Sequence, residues 1–314
     1  MRTYRPEGYD SRKKVRYSME DLKSALENGT ILEGKAVKSD SKLNLYVELG
    51  RNITGVISYD DFEVRHGGAT KSIAVLSKVG KIVAFKVVNI TNKNGEHIVK
   101  LSRKSAQEQC KAEFIDKLTP GDIIDAKVTH IEKYGLFCDI GCGCIALLPI
   151  ENMCVTRISN PKQTLKYVKR IKAVIKNIAD DGKITLTHKE LIGTWEEEVS
   201  KFDIGDTVIG TVRSVEKYGV FVELSPNLTG LAEPITGVEP GNKVSVYVKG
   251  ITPERMKVKL VIVNKDTQDK VNNRPYYDYR LIKGRIDSWN YSPKSSDRKI
   301  FTQFTNKQQE SSKE

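Results

Sequence analysis

A nine-residue pattern occurs twice in this chain and constrains its fold more than any other feature. It reads Lys-Tyr-Gly-Leu-Phe-Cys-Asp-Ile-Gly at 133–141 and Lys-Tyr-Gly-Val-Phe-Val-Glu-Leu-Ser at 217–225, an offset of 84 residues. A Gly-Asp pair at 121–122 recurs at the same offset, at 205–206. A fixed offset of this kind is typical of a repeated structural module. The sequence therefore predicts at least two consecutive copies of one small domain.

The pattern predicts a β-strand with an inward and an outward face. Residues of a strand point alternately to its two sides, and the aliphatic set is expected to face the core. That set is Leu136, Cys138 and Ile140. Phe137 shares its face with the carboxylate of Asp139, so we expect this face to meet solvent. The glycine after Tyr134 can bend or bulge the strand, which would bring the tyrosine to the same face. Core packing is the alternative for these aromatic residues.

Exposed aromatic rings beside cations suggest a surface for unpaired nucleic acid. The net charge is +12 and the isoelectric point about 9.3, which favours an anionic partner, although basic surfaces also serve solubility. Bases stack on exposed aromatic side chains. The aromatic candidates are Tyr134, Phe137, Tyr218 and Phe221. The basic candidates near them are Lys133, Lys217, Lys127 and Arg213, for which a solvated face without a ligand is the alternative.

Strand candidates and turn signals divide the chain into three modules with flanking segments. Each module contains five short strand candidates in one order, which predicts a mainly β protein of three tandem five-stranded OB-fold barrels joined by short helices. A basic arm, either solubilising or contacting phosphate, is expected to be disordered at the start. The predicted boundaries are 1–27 for the arm and a capped helix, 28–103 for a diverged first module, 104–117 for a linker helix, 118–189 for the second module, 190–202 for a linker helix with a packed Trp195, 203–264 for the third module and 265–314 for an extension with a disordered tail.

The modules resemble the S1 RNA-binding domain family. The resemblance covers roughly residues 28–264 and rests on Gly-Asp, on Gly or Ala before an alternating strand, on Tyr-Gly-x-Phe-x-acid-aliphatic, and on a final strand such as Ile184-Thr185-Leu186. The order of a helix, three modules and a tail is similar to that of the short Gram-positive members related to bacterial small-subunit ribosomal protein S1. The resemblance implies an OB-fold.

The same resemblance implies an RNA-stacking patch made of two aromatics, a histidine and a basic residue. The matching aromatics are those of the repeated pattern, and the basic position matches Lys183 and Lys257. The histidine position departs from the family pattern, because it holds Pro149 in the second module and Glu233 in the third. The first module keeps one aromatic, Tyr46, and is a weaker RNA candidate that could bind protein instead.

The expected function is binding of single-stranded RNA, with mRNA as the expected ligand, at the 30S ribosomal subunit in the cytoplasm. Two alternatives use the same modules: an accessory factor of RNA processing or decay, and a protein-interaction scaffold. No apolar run is long enough to span a bilayer, so no membrane partner is expected.

No chemistry-bearing motif predicts an enzyme, a cofactor or a small-molecule substrate. The histidines pair with no serine or cysteine in a recognisable triad, and no phosphate-cradling Gly-x-x-x-x-Gly-Lys is present. The cysteines at 138, 142, 144 and 154 could in principle hold zinc or an iron–sulfur cluster, but they lack the Cys-x-x-Cys pairs of a zinc ribbon. We expect no metal site, and Cys138 to behave as a small apolar residue.

Overall fold

A computed structural model of the chain describes residues 4–10, 16–64, 70–93, 96–158, 161, 169–265, 279 and 281–304. The predicted disordered tail and most of the cations of the predicted basic arm lie outside the described residues. Those cations are Arg2, Arg12, Lys13 and Lys14.

The described residues form strands in three groups and short helices between them. The first group is β1 Ile31–Ser39, β2 Leu45–Gly50, β3 Ile53–Ile57, β4 Ile82–Lys93 and β5 Glu96–Ser102. The second is β6 Ile123–Glu132, β7 Gly135–Gly141, β8 Cys144–Pro149, β9 Arg170–Ile178 and β10 Ile184–Thr187. The third is β11 Thr207–Glu216, β12 Gly219–Ser225, β13 Leu228–Ala232, β14 Lys243–Thr252 and β15 Lys257–Asn264. The helices are α1 Met19–Glu27, α2 Ser72–Leu76, α3 Arg103–Glu113 and α4 Trp195–Val199, and a last pair of strands is β16 Ser288–Asn290 and β17 Phe301–Gln303.

Each group of five strands closes into a barrel with the same strand order. The orders are β1-β2-β3-β5-β4, β6-β7-β8-β10-β9 and β11-β12-β13-β15-β14. The third and fifth strands of each barrel run parallel, whereas the other four pairings of the first and third barrels are antiparallel. This is the Greek-key arrangement of the OB-fold, so the predicted fold class is confirmed.

The alternating sequence and a small residue on the first strand explain why the barrels close. On β14, Val244, Val246 and Val248 point into the barrel and are fully buried. A Cβ atom at Gly210 of β11 would lie 2.3 Å from Cγ1 of Val222. A larger side chain there would push the first two strands apart, which explains the Gly or Ala before the alternating stretch.

The chain divides into two compact units. One comprises residues 1–118 with 125–127 and 139–145, and contains the first barrel. The other comprises residues 119–124, 128–138 and 146–314, and contains the third barrel. The second barrel contributes residues to both units.

Helices α1 and α4 begin at capping residues that the sequence signals. Ser18 caps α1 through a reciprocal capping box with Asp21, as predicted from the sequence. Thr194 and Glu197 form the same motif at α4, which is shorter than the predicted linker helix 190–202. Trp195 is buried in the core around the third barrel, as expected. No described helix is long and apolar enough to cross a membrane.

The C-terminal extension packs onto the second unit through a short hairpin. Strand β16 pairs antiparallel with β17. Four aromatic or aliphatic side chains of this segment join the core around the third barrel, and they are Ile286, Trp289, Tyr291 and Phe304. Residues 281–304 are therefore part of the folded unit.

The described part of the N-terminal arm is packed, which corrects the expectation of disorder for residues 4–10. The carboxylate of Glu7 is buried and accepts hydrogen bonds from Nε of Arg103 and Nζ of Lys78, both at 2.6 Å. Its Oε1 also accepts from the N–H of Ala84 at 3.2 Å. The N–H of Glu7 itself donates to Oδ2 of Asp139 at 2.8 Å. The arm is held because a buried carboxylate and two cations satisfy each other within the first unit.

The ion pairs of Glu7 determine its charge state. Burial alone raises the pKa of a carboxyl group, but the charges of Arg103 and Lys78 outweigh burial and lower the pKa of Glu7 to about 2. Asp139 shows the opposite result, because burial and the nearby charge of Glu7 raise its pKa to about 6. Glu7 therefore stays ionised in the folded chain across the neutral and mildly acidic range.

Replacing Glu7 by glutamine should destabilise the first unit. Glu7→Gln leaves the buried Arg103 without its ion-pair partner, and we expect the free energy of unfolding of this unit to fall by about 3 kcal/mol. Hydrogen exchange of the α3 amides measures this locally. Asp10→Asn breaks the exposed Arg5–Asp10 pair (2.6 Å) and is the matched control, with an expected loss below about 1 kcal/mol. Equal protection of α3 in the two variants would contradict the role of Glu7.

The contribution of Glu7 should also depend on pH with a defined sign. The pKa of Glu7 is lower in the folded chain, about 2, than its ordinary value of 4.5. The stabilisation is therefore fully present above pH 4.5 and lost as the pH falls toward 2. Glu7→Gln should remove this part of the acid dependence.

Candidate nucleic-acid interface

Tyr134 and Phe137 form an aromatic pair on the outer side of the second barrel. Phe137 lies on β7 and is half-buried, whereas Tyr134 lies in the turn before β7 with 56% of its surface exposed. The ring centroids are 6.1 Å apart and the ring planes meet at 87°, an edge-to-face contact. The inward positions are filled by Leu136, Cys138 and Ile140, which are buried.

Tyr218 and Phe221 form the same pair on the third barrel. Their centroids are also 6.1 Å apart at 87°, and Tyr218 is 66% exposed. The structure thus brings the predicted aromatic residues together, two on each barrel, in the same geometry. Each pair offers ring surface to solvent, which is what base stacking requires.

A close backbone contact explains why a glycine follows the tyrosine at the start of the second strand in both barrels. A Cβ atom at residue 135 would lie 2.4 Å from the carbonyl oxygen of Leu148, and one at residue 219 would lie 2.5 Å from that of Ala232. Both glycines also have φ near 156°. Only glycine allows the second and third strands to approach this closely while the preceding tyrosine stays outside.

His130 adds an imidazole ring to the patch of the second barrel, and sequence reasoning missed it. Its ring centroid is 6.4 Å from that of Phe137, and its Nε2 lies 2.8 Å from Oε1 of Glu132. The equivalent position on β11 is Ser214, whose Cα is paired with that of Phe221. Strand pairing could have predicted this contact, because residues paired across two antiparallel strands point to the same face of the sheet.

Four of the predicted lysines lie on the surface. Lys133 and Lys217 occupy the turns just before Tyr134 and Tyr218, and both are exposed. Lys183 is exposed before β10 and forms an ion pair with Asp181 at 2.6 Å, and Lys257 is exposed at the start of β15. Lys133 and Lys217, which lie in the two turns, are therefore next to the aromatic pairs.

Arg213 is not an open phosphate contact, which corrects one prediction. Its guanidinium group forms two hydrogen bonds to the carboxylate of Glu223, at 2.7 and 2.5 Å, and the two side chains are 8% and 11% exposed. The β11–β12 register shifts between Val212 and Ser214, so that Arg213 is the extra residue of a bulge. This bulge places Arg213 beside Glu223.

Lys127 and Asp139 are likewise parts of the protein interior rather than an open surface. Lys127 is half-buried and its Nζ donates to the carbonyl oxygen of Glu7. Asp139 was expected to face solvent, yet it is 1% exposed. Its carboxylate accepts the N–H groups of Glu7, Gly141 and Gly143 at 2.8–3.0 Å. The N-terminal segment covers this face, which no alternation in the sequence could show.

Tyr46 of the first barrel has its own partners. It is half-buried, Nζ of Lys38 lies 4.6 Å from its ring centroid, and its hydroxyl donates to Asp40 at 3.2 Å. A lysine already covers one face of the ring. Its RNA-binding role stays a prediction.

The position at which the S1 family has a histidine is uncharged in the second barrel, where it is Pro149, and acidic in the third, where it is Glu233. Pro149 ends β8, and its Cα is 2.9 Å from the position of a Cβ atom at residue 135. Glu233 follows β13 and lies 3.4 Å from Nζ of Lys249, both well exposed. The charge of Lys249 offsets part of the repulsion that Glu233 exerts on a phosphate.

The cysteines are free thiols. Cys138 lies in the barrel interior, as its alternation predicts. Hydrogen bonds to Cys142 and Cys144, together with burial, raise the pKa of the Cys110 thiol. Among the residues that the structure describes, no group of three or more His, Cys, Asp or Glu side chains is arranged to hold a metal ion.

Comparisons with known proteins identify a matching family model and curated relatives. Residues 117–189 match the family model described as the S1 RNA binding domain. The middle barrel therefore matches an S1 domain. The chain is also 28% identical over 265 residues to small ribosomal subunit protein bS1 of Staphylococcus epidermidis, covering 78% of this chain and 64% of that protein. The match to bS1 of Staphylococcus aureus is 28% over 261 residues, with 77% and 63% covered. The predicted resemblance is confirmed.

These matches have a limited extent. The chain spans about 64% of the length of the curated relatives it matches. A crystal structure of a multidomain protein with nucleic acid binding domains from Streptococcus pneumoniae shares 12% identity, covers 78% of this chain and 76% of that chain, and has a TM-score of 0.26.

Replacing Arg213 should lower stability because the arginine is structural. Arg213→Gln leaves the largely buried carboxylate of Glu223 without its counter-charge, and we expect a loss of about 3 kcal/mol in the free energy of unfolding. Both tryptophans of the chain, Trp195 and Trp289, belong to the core around the third barrel, so tryptophan fluorescence during urea unfolding reports it. Lys249→Gln breaks an exposed pair and is the control, with a loss below about 1 kcal/mol. If Arg213→Gln unfolds at the same urea concentration as the wild-type protein, the structural role of Arg213 is wrong and its guanidinium group is again a candidate phosphate contact.

Proposed function

We propose that this chain binds single-stranded RNA through the aromatic pairs of its second and third barrels and acts in translation at the small ribosomal subunit. The observation that supports the binding role is the repeated pair itself, Tyr134–Phe137 and Tyr218–Phe221, in one geometry on two barrels. The match of residues 117–189 to the S1 RNA binding domain supports RNA as the ligand. The likeness to bS1 supports the translational setting, and with it the cytoplasm and mRNA as the RNA that is bound.

The geometry favours unpaired RNA over a duplex. A half-buried phenylalanine and an exposed tyrosine on a barrel surface can stack on a base only if that base is not already stacked in a helix. The adjoining Lys133 and Lys217 are exposed and can neutralise phosphates of the same strand. Stacking and phosphate contact together give binding with little sequence preference.

Two binding barrels on one chain should bind more tightly than either alone. When one barrel holds an RNA strand, the second encounters the same strand at a high effective concentration. Each barrel offers a single aromatic pair, so we propose that affinity depends on both. The first barrel, with Tyr46 partly covered by Lys38, takes a lesser part.

The proposed role is binding without catalysis. The side chains that converge at the two patches are aromatic rings, lysines and one histidine–glutamate pair, His130 and Glu132. Stacking and charge neutralisation need no general base, nucleophile or cofactor. We propose that the chain positions RNA for other components of the translation machinery.

Alanine at both phenylalanines should weaken RNA binding in a folded protein. If each ring stacks on one base, Phe137→Ala with Phe221→Ala should cost about 2–6 kcal/mol of binding free energy for an unstructured RNA oligonucleotide. Fluorescence anisotropy with labelled RNA measures the affinity. Tyr247→Ala removes a partly exposed aromatic from β14 and is the matched control, because Tyr247 lies outside both aromatic pairs. Unchanged affinity of the double variant, with its fold intact, would rule out stacking on these residues.

A further inference from the structure

A cleft of about 420 Å³ lies beside the aromatic pair of the third barrel, within the second unit. Three segments line it: the outer face of β11 and β12 with Phe221, the connection after β8 with Arg157, and the C-terminal extension with Tyr291 and Arg298. Its volume falls in the range of small-ligand pockets, roughly 300–1,000 Å³. The cleft thus joins a predicted stacking residue to two segments that lie outside the third barrel.

A buried asparagine fixes these segments in place. Asn227 is fully buried, and its Oδ1 accepts the N–H of Val155 at 2.9 Å. Its carbonyl oxygen accepts the hydroxyl of Tyr291 at 2.5 Å, and its Nδ2 donates to the carbonyl oxygens of Lys189 and Gly193, both at 3.0 Å. One residue, through its side chain on one wall and its backbone carbonyl on the other, therefore holds both additional walls against the third barrel. The cleft is preformed, which lowers the entropic cost of binding a ligand there.

Further hydrogen bonds tie the same walls to the barrel. The hydroxyl of Thr156 donates to the carbonyl oxygen of Pro226 at 2.9 Å. The N–H of Asp297 donates to the carbonyl oxygen of Glu254 at 3.2 Å. Arg157 follows Thr156 and Arg298 follows Asp297, so each arginine comes directly after a residue that is hydrogen-bonded to the barrel.

The lining combines four aromatic rings, two open cations and one carboxylate. Arg157 and Arg298 are exposed, and within the part of the chain that the structure describes neither forms an ion pair. Guanidinium groups suit phosphate because they present planar pairs of N–H donors. Glu216 can only accept hydrogen bonds when ionised, so it disfavours a phosphate at its own end and can accept from an amino group of a base. This set matches a nucleotide better than a purely apolar or purely anionic ligand.

We propose that this cleft holds one unpaired nucleotide of a bound RNA strand, with its base against Phe221 and its phosphates at Arg157 and Arg298. The inference rests on the proposed RNA-binding function and adds to it a site built partly by the C-terminal extension. It makes the third barrel different from the second in how it holds RNA. The extension then acts in RNA binding as well as in core packing.

A salt titration of the full chain tests the phosphate contacts. Arg157→Gln with Arg298→Gln removes two contacts, so the slope of log affinity against log salt for an oligouridylate should become less steep by about 1.4. Between about 50 and 200 mM salt, the wild-type protein should lose about sevenfold more affinity than this variant. The control is Lys23→Gln with Arg51→Gln, which removes the same charge from exposed positions of the first unit and should keep the wild-type slope. Far-ultraviolet circular dichroism, which reports all three barrels, checks that both variants are folded.

Crosslinking separates the cleft from the general function. With 4-thiouridine in the oligouridylate, we expect adducts on peptides with Tyr218 or Phe221 and also on peptides with Arg157 or Arg298. Adducts at the aromatic pair alone, with equal salt slopes for the two arginine variants, would overturn the cleft and leave the proposed function standing. The absence of adducts at both aromatic pairs would overturn the proposed function itself. Displacement of the RNA by micromolar uridine monophosphate would assign the cleft to a free nucleotide and overturn the proposal.

Discussion

The approach of a strand carbonyl to a glycine sets the geometry on which the candidate interface depends. In the second and third barrels, the carbonyl oxygens of Leu148 and Ala232 leave no room for a Cβ atom at residues 135 and 219. The second strand therefore starts at a glycine, with a tyrosine in the turn before it and a phenylalanine two residues later. Both aromatics meet outside the barrel while aliphatic residues fill the inside. The same short pattern thus satisfies a packing constraint and creates a surface for stacking.

The charges nearest this surface divide into structural and open ones. The acid of the repeated pattern is structural in both copies, but with different partners. Asp139 accepts backbone N–H groups and lies under the N-terminal segment, whereas Glu223 pairs with Arg213. Lysines in the turns remain exposed. Fewer cationic side chains can therefore bind phosphate than the net charge of +12 suggests, because some of them form ion pairs that stabilise the fold.

Sequence periodicity predicted the architecture well because the barrel is built from local patterns. The five strands of each module, the capping box at Ser18 and the burial of Trp195 all follow from neighbouring residues. The aromatic pairs were predictable for the same reason. The roles of Arg213, Lys127 and Asp139 were not, because a bulge reverses local alternation and a distant segment covers an outward face. His130 was missed because it meets Phe137 through strand register, which no single strand shows. The cleft depends on contacts of Asn227 with residues more than thirty positions away.

The central claim is that bases stack on Phe137 and Phe221, and nuclear magnetic resonance of phenylalanine rings tests it most directly. With ring-labelled phenylalanine in the full chain, addition of single-stranded RNA should move the ring signals of these two residues upfield, since a stacked base shields them. The signals of Phe62 and Phe85, which are buried in the first barrel, should stay in place. Saturable RNA binding without ring shifts at Phe137 and Phe221 would contradict the account, because RNA would then be held elsewhere on the protein.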